Sequence, residues 1–381
     1  MCRSPACGAS SRPIRASRAI CRRCAARATC WRRNERHRND RRNAGGRRCG
    51  RSARGYFSNE EAGVSTLFIS DAAGGGAGPG AGSGHVTPPG HPERAERLQA
   101  IEAALAVPAF AALIRREAVP ADDREVLRCH PAAYLDALRR AVPAEGWAAL
   151  DADTFVSPGS LGAALRAVGG VNAAVDAVLA GEVRNGFVAM RPPGHHAEAT
   201  RAMGFCLFGT VAIAAKRALD HHRLRRVAVL DFDVHHGNGT QDLMWDEDRV
   251  LFVSSHQMPL YPGSGAVEER GAHGQILNLP LVPGSGGAEM RVAWAGALAR
   301  VADFAPELIL LSAGFDAHRD DPLGGLVWDE GDYAWLTGAI GAVAGSVCGG
   351  RVVSSLEGGY DLAALAGSVA AHVRGLMEER G

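Results

Sequence analysis

Residues 226–241 read Arg226-Val-Ala-Val-Leu-Asp231-Phe-Asp233-Val-His235-His236-Gly-Asn238-Gly-Thr-Gln241. Val227 to Leu230 is apolar at consecutive positions, the texture of a strand buried on both faces, and ionisable residues crowd in directly after it. The same texture recurs at 65–70, 186–190, 250–254, 308–312 and 351–356, each run closed by polar residues or Gly. Helical periodicity lies between these runs. Ser157 is placed to cap one helix with Pro158 at its first position, and Leu161, Leu165, Val168, Val171, Val175 and Val178 form its apolar stripe. A second helix buries Trp294, Leu298, Val301 and Phe304. The alternation predicts one α/β domain with a mostly parallel sheet and helices on both faces.

Ligands of open α/β sheets sit beyond the carboxyl ends of the strands, so the residues after each apolar run carry the functional reading. Met190 is followed by Arg191-Pro-Pro-Gly-His195-His196, Ser312 by Ala-Gly-Phe-Asp316, and Leu356 by Glu357-Gly-Gly-Tyr360. A His-His pair or an Asp after a strand is, singly, an ordinary surface or capping feature. Their delivery by four strands to one sheet edge is not. Asp233 and His235, two apart in an extended segment, point the same way, and with Asp316 they predict a catalytic metal site with an open position, zinc being the expected ion. Asp231 and Asn238 are placed to orient histidines from behind. His195 and His196 supply acid–base chemistry near neutral pH, and Tyr360 a donor to a developing oxyanion. Together they specify carbonyl hydrolysis without a Ser or Cys nucleophile.

The net charge of +1 over 381 residues hides a split. Residues 1–55 hold 17 Arg and 2 acids, a net of +15, so the remainder carries −14. The acidic body gives no bulk electrostatic bias toward nucleic acid and favours a cationic substrate. Residues 1–62 lack apolar periodicity and are expected to form a disordered Arg/Cys-rich extension, with the enzymatic domain at 63–381. Six of the nine cysteines lie in that extension, and Cys129, Cys206 and Cys348 are scattered through the rest, which argues against a disulfide framework. The uncharged stretch 333–350 contains five glycines and a helical stripe (Leu336, Ile340, Val343, Val347), and reads as a buried helix, not a membrane span. A soluble cytoplasmic protein is expected, with no membrane or nucleic-acid partner.

These motifs, with Gly204-Phe-Cys206, Asp321-Pro-Leu-Gly-Gly325, His91-Pro-Glu-Arg-Ala-Glu-Arg97 and His130-Pro-x-x-Tyr134, resemble the histone deacetylase and acetylpolyamine amidohydrolase superfamily. The likeness runs from about residue 65 to the C-terminus, and Asn238-Gly-Thr-Gln looks like the class II branch with its bacterial deacetylase-like amidohydrolases. The resemblance implies an arginase/deacetylase-like three-layer fold, with Zn²⁺ on Asp233, His235 and Asp316. It implies His196, backed by Asn238, as principal acid/base, and His195, backed by Asp231, as its electrostatic partner. Tyr360 would polarise the amide carbonyl. Gly204-Phe205 would wall a narrow channel, with Tyr261 or Leu260 opposite and Asp153 at the rim. K⁺ would be held by Asp231, Asp233 and Ser254 with backbone of His235 and Ser255. Leu323 stands where a polyamine-selective branch places Glu, which favours acyl-lysine peptides or proteins over acetylpolyamines, though other acylated amines stay open. So does oligomeric state, a homo-oligomer included. Arg94-Ala95 departs from the family's apolar residue and Pro.

Two rivals remain. An arginase-type ureohydrolase needs a second metal and extra carboxylates, but Ala317-His318 follow Asp316. A non-catalytic acyl-lysine binding module is disfavoured by the presence of Tyr360 and both histidines.

Overall fold

The computed structural model describes residues 65–71 and 84–378. The expectation of a disordered extension over residues 1–62 lies outside them. The strands, in chain order, are β1 (Thr66–Ser70), β2 (Ile114–Glu117), β3 (Ala148–Ala149), β4 (Phe155–Val156), β5 (Asn185–Ala189), β6 (Val227–Asp231), β7 (Val250–Gln257), β8 (Ile276–Leu281), β9 (Leu308–Ala313) and β10 (Val352–Leu356). Eight form one sheet in the order β2-β1-β5-β10-β9-β6-β7-β8, parallel at every pairing, and β3 and β4 make a separate small ribbon.

The consecutive apolar runs exist because both faces of this sheet are covered. Along β6, Ala228 and Leu230 enter one core and Val227 and Val229 the other. The first core packs against helices Glu96–Leu105, Gly287–Phe304, Glu330–Cys348 and Leu362–Met377, through Ile101, Trp294, Ile340 and Val369 among others. The second packs against Ser160–Leu179 and Thr210–Asp220, through Val171, Val175, Val211 and Leu219. This is the expected three-layer arrangement. Helix Ser160–Leu179 is long and apolar enough to cross a membrane, but most of it is buried in this core. Cys129, Cys206 and Cys348 are all free.

The structure adds to and corrects the sequence reading. β2 reads Ile-Arg-Arg-Glu with all four residues exposed; as an edge strand it needs only backbone bonds to β1 and shows no apolar run. β8 carries Pro280, tolerated because it too lies at an edge. β7 continues through the polar but buried Ser254, Ser255, His256 and Gln257. Ser157 does not cap the long helix, which starts at Ser160. Its hydroxyl instead accepts from Val86 N–H at 2.9 Å and donates to Gly84 O at 2.9 Å, holding the incoming loop.

Two buried histidines make the fold acid-sensitive. Thr337 Oγ1 donates to Tyr333 O, so His372 Nδ1–H donates to Thr337 Oγ1 at 2.7 Å, and Nε2 accepts from Ser354 Oγ at 2.9 Å. Burial drives its pKa down to about 3. His130 donates from Nδ1 to Ala199 O and accepts at Nε2 from Gly209 N–H, and burial lowers it to about 4. Both are neutral in the fold, whereas the unfolded chain protonates them near pH 6.5, so stability is present above that pH and lost as pH falls below it. Between pH 7.5 and pH 5 each is expected to cost about 2 kcal/mol. Denaturant titrations at both pH values check this, and His372→Asn should flatten the slope. An unchanged slope in that variant would contradict the assignment.

Candidate active site

β5, β10, β9 and β6 are neighbours at the centre of the sheet. Their carboxyl ends therefore bring Arg191–His196, Glu357–Tyr360, Gly314–Asp316 and Asp231–His235 to one spot. Asp233, His235 and Asp316 converge there, all buried, with one ligand atom of each within 4.8 Å of the others. His235 Nδ1 lies 3.1 Å from Asp233 Oδ1 and 3.1 Å from Asp316 Oδ2. The remaining carboxylate oxygens are taken by backbone donors: Asp233 Oδ2 accepts from Gly358 N–H at 2.8 Å, and Asp316 Oδ1 from Val234 N–H at 2.9 Å. Each acid thus turns a single oxygen toward the imidazole.

This donor set fits a metal cation. Burial and the charge of Asp233 push Asp316 up to about 7, while the two carboxylates, acting against burial, raise His235 to about 10. One Nδ1 proton cannot satisfy two buried carboxylates. A divalent cation in its place answers both and needs the imidazole neutral. Space is reserved as well: a Cβ on Gly314 would come within 2.1 Å of Asp233 Oδ2, and one on Gly358 within 2.0 Å of Asp316 Oδ2.

The histidine pair sits beside this centre with rings 4.0 Å apart. His195 Nδ1 bonds Asp231 Oδ2 at 3.1 Å, and His196 Nδ1 bonds Asn238 Oδ1 at 2.7 Å. Their environments drive the pair apart. For His195, burial is outweighed by Asp233 and Asp231, and its pKa rises. For His196, burial reinforced by His195 and His235 holds it well below the usual imidazole range. Paired groups displaced in opposite directions are the mark of an acid–base assignment. Glu357 accepts from Gly194 N–H at 2.7 Å, His195 N–H at 3.1 Å and Ser312 Oγ at 3.0 Å, fixing the backbone from which both rings project.

Tyr360 closes the site from β10. Burial pushes its phenol pKa up, so it stays a donor. Asp321 Oδ2 accepts its backbone N–H at 2.6 Å while Oδ1 accepts from Leu323 N–H at 3.0 Å. Arg97 is fully buried, lies 4.9 Å over the Tyr360 ring and donates to Gly359 O at 2.6 Å. Glu93 bridges Arg97 and Arg191 beneath it.

Above these groups opens a cavity of about 430 Å³. Its lining includes His196, His235 and Tyr360 at the reactive end, and every residue predicted for substrate contact: Asp153, Gly204, Phe205, Tyr261 and Leu323. Leu260 lines it too, so both candidates for the second wall face the cavity. Tyr261 stands edge-on to His196 at 5.2 Å, while Phe205 packs against Tyr360 at 5.8 Å and His91 at 4.8 Å. Gly204 and Phe205 both have positive φ, 54° and 67°, in a tight turn between paired Met203 and Cys206. A Cβ at Gly204 would come within 2.3 Å of His196 Cδ2. Around Asp231, Ser254 is its register partner on β7, and Ser255 Oγ accepts from Trp294 Nε1 at 3.1 Å.

Sequence reasoning gave no role to His91, Glu93, Arg97, Phe155, Asp321 or Glu357. His91 and Phe155 line the cavity, and His91 Nε2 donates to Asp153 O at 3.0 Å. Glu93 and Arg97, four apart, enter the sequence reading only within a motif that carries the family resemblance; the fold shows both buried.

A parallel α/β sheet with a buried Asp-His-Asp set able to hold a metal, a polarised histidine pair and a phenol at its carboxyl edge is an arrangement suited to hydrolysis. The comparisons name the family: residues 91–376 match the histone deacetylase domain, and the chain belongs to that family of hydrolases. It is 40% identical over 286 residues to the histone deacetylase-like amidohydrolase of Pseudomonas aeruginosa, covering 73% of this chain and 75% of that one. To histone deacetylase 10, chloroplastic, of Oryza sativa subsp. japonica it is 38% identical over 310 residues, covering 76% and 70%. The crystal structure of the HDA15 HD domain superposes with a TM-score of 0.75 at 31% identity, covering 83% of this chain and 88% of that one.

Proposed function

We propose that the protein is a zinc-dependent amidohydrolase that deacetylates acyl-lysine side chains. The observation that carries this reading is the convergence of His235, His196 and Tyr360 on one apolar-walled cavity. Zn²⁺ would be held by Asp233, His235 and Asp316, and supplies a Lewis acid that lowers the pKa of an attacking water and polarises a carbonyl. His235 Nδ1 lies 3.1 Å from one oxygen of each carboxylate, so the three side chains would present their donor atoms to a single ion. K⁺ is assigned to Asp231, Asp233 and Ser254 with backbone of His235 and Ser255.

The residues of the chain divide the remaining work. Phe205, Tyr261, Leu260 and Leu323 enclose an aliphatic chain, and Asp153 at the rim accepts from substrate amide groups. His196 takes the water proton at Nε2, since its Nδ1 faces Asn238, and returns it to the departing amine. His195, held by Asp231, keeps positive charge near the reacting centre. Tyr360 donates to the carbonyl oxygen as negative charge develops there.

Acetate release from an acetyl-lysine peptide and from acetylputrescine, with and without a zinc-chelating hydroxamate, tests the reading. Hydroxamate-sensitive turnover of the peptide is expected. Preference for acetylputrescine would keep the zinc chemistry and overturn the substrate assignment to which Leu323 points. Peptide binding without acetate release would replace the enzyme with a binding module.

A further inference from the structure

We infer that Glu198 is a positioning residue that sets the tautomer of His196 through the amide of Asn238; the inference rests on the acid–base role proposed for His196. An asparagine side chain presents oxygen or NH₂ according to what surrounds it. Around Asn238 Nδ2 the fold places three acceptors: Glu198 Oε1 at 2.8 Å, Met203 Sδ at 3.4 Å and His196 O at 3.5 Å. The NH₂ group is forced to that side, and Oδ1 is left facing His196 Nδ1 at 2.7 Å. An oxygen there only accepts, so the imidazole carries its proton on Nδ1 and keeps the Nε2 lone pair free to take one. The opposite amide orientation would put the proton on Nε2 and leave the ring unable to act as a base.

Glu198 is the strongest of the three acceptors. A carboxylate bonds an N–H roughly twice as well as a neutral group does. It is itself fixed: Glu198 N–H donates to Arg201 O at 3.0 Å in a short turn, and the following Ala199 N–H donates to Asp242 Oδ2 at 2.9 Å. It neither lines the cavity nor belongs to the candidate metal ligands, so its carboxylate reaches the reacting groups by way of Asn238.

The test uses the full-length zinc-loaded protein and an acetyl-lysine peptide. Glu198→Met keeps the length of the side chain and removes the acceptor; kcat should fall about 10- to 100-fold, the usual range for partners behind a metal site, with KM within about twofold. Asn238→Asp sets two carboxylates against each other and should lose a similar factor. Combining it with Glu198→Gln exchanges donor and acceptor across the 2.8 Å contact while leaving a carboxylate oxygen for His196 Nδ1, and should recover at least tenfold over Asn238→Asp. A contact that only supported the fold would not be restored by that exchange. The inference is overturned if Glu198→Met keeps kcat within twofold of the parent, or if the double variant is no better than Asn238→Asp. His196→Ala separates the two levels. If it stays active, the acid–base role itself fails; if it is inactive while Glu198→Met is normal, only the inference about Glu198 fails.

Discussion

Replacing Asp316 by Ala is expected to leave a folded protein that holds no zinc and turns over an acetyl-lysine peptide roughly 10⁴-fold more slowly, or slower still. The size reflects what the ion supplies. A bound metal brings the pKa of a water from about 15.7 to about 7, and losing that removes most of the nucleophile present at neutral pH. Asp316 offers one of the three candidate donor atoms, and Asp233 and His235 alone would make a poor site. The fold should survive. The variant loses the hydrogen bond to Val234 N–H and the contact with His235 Nδ1, but it also removes a buried acid that burial and the charge of Asp233 together push up to about 7. Metal analysis of the purified variant beside its thermal melt decides the matter. One equivalent of zinc in a folded Asp316→Ala protein would remove Asp316 from the ligand set. Asp316→Asn, which keeps an acceptor for Val234 N–H, controls for the lost backbone contact.

Much of this site is legible in the amino-acid sequence. The central strands announce themselves by unbroken apolar runs, because both faces are covered, and the parallel arrangement puts the residues after each run at one edge. Asp231, Asp233, His235, Asp316, His195, His196 and Tyr360 are all readable on that ground. The residues that sequence reasoning misses share a physical trait: their partners lie far along the chain. Arg97 reaches Gly359 across more than 250 residues, and Asp321 holds the Tyr360 N–H from a different loop. Such residues look like ordinary surface charges until the fold shows them buried. The edge strands hide for the opposite reason. β2 pairs through its backbone while its side chains stay exposed, so composition carries no trace of it. Ser157 misleads because a serine before a helix is a common cap, yet here a returning loop claims its hydroxyl first.

Tyr360→Phe is expected to lower kcat by roughly 10²–10³, with zinc content unchanged and KM within a few-fold. The structure makes this a clean deletion of one O–H. The ring is held by the edge of Phe205 at 5.8 Å and the Arg97 guanidinium at 4.9 Å, and the backbone by Asp321 at 2.6 Å; none of these contacts involves the phenol oxygen. A phenylalanine therefore occupies the same position. The phenol is protonated throughout the neutral range, since burial raises its pKa, so the loss should not vary with pH between about 6 and 8 through titration of this group. A donor that strengthens as the carbonyl oxygen gains charge stabilises the transition state more than bound substrate, which is why kcat carries the effect and KM does not. If Tyr360→Phe turned over within threefold of the parent, the phenol would have no part in stabilising the oxyanion. If KM rose while kcat held, Tyr360 would be a binding contact for the ground-state amide. The variant also separates the two groups proposed to act on the carbonyl: Asp316→Ala would remove a metal ion and the water it activates together, whereas Tyr360→Phe would leave that ion in place and report on the phenol donor alone.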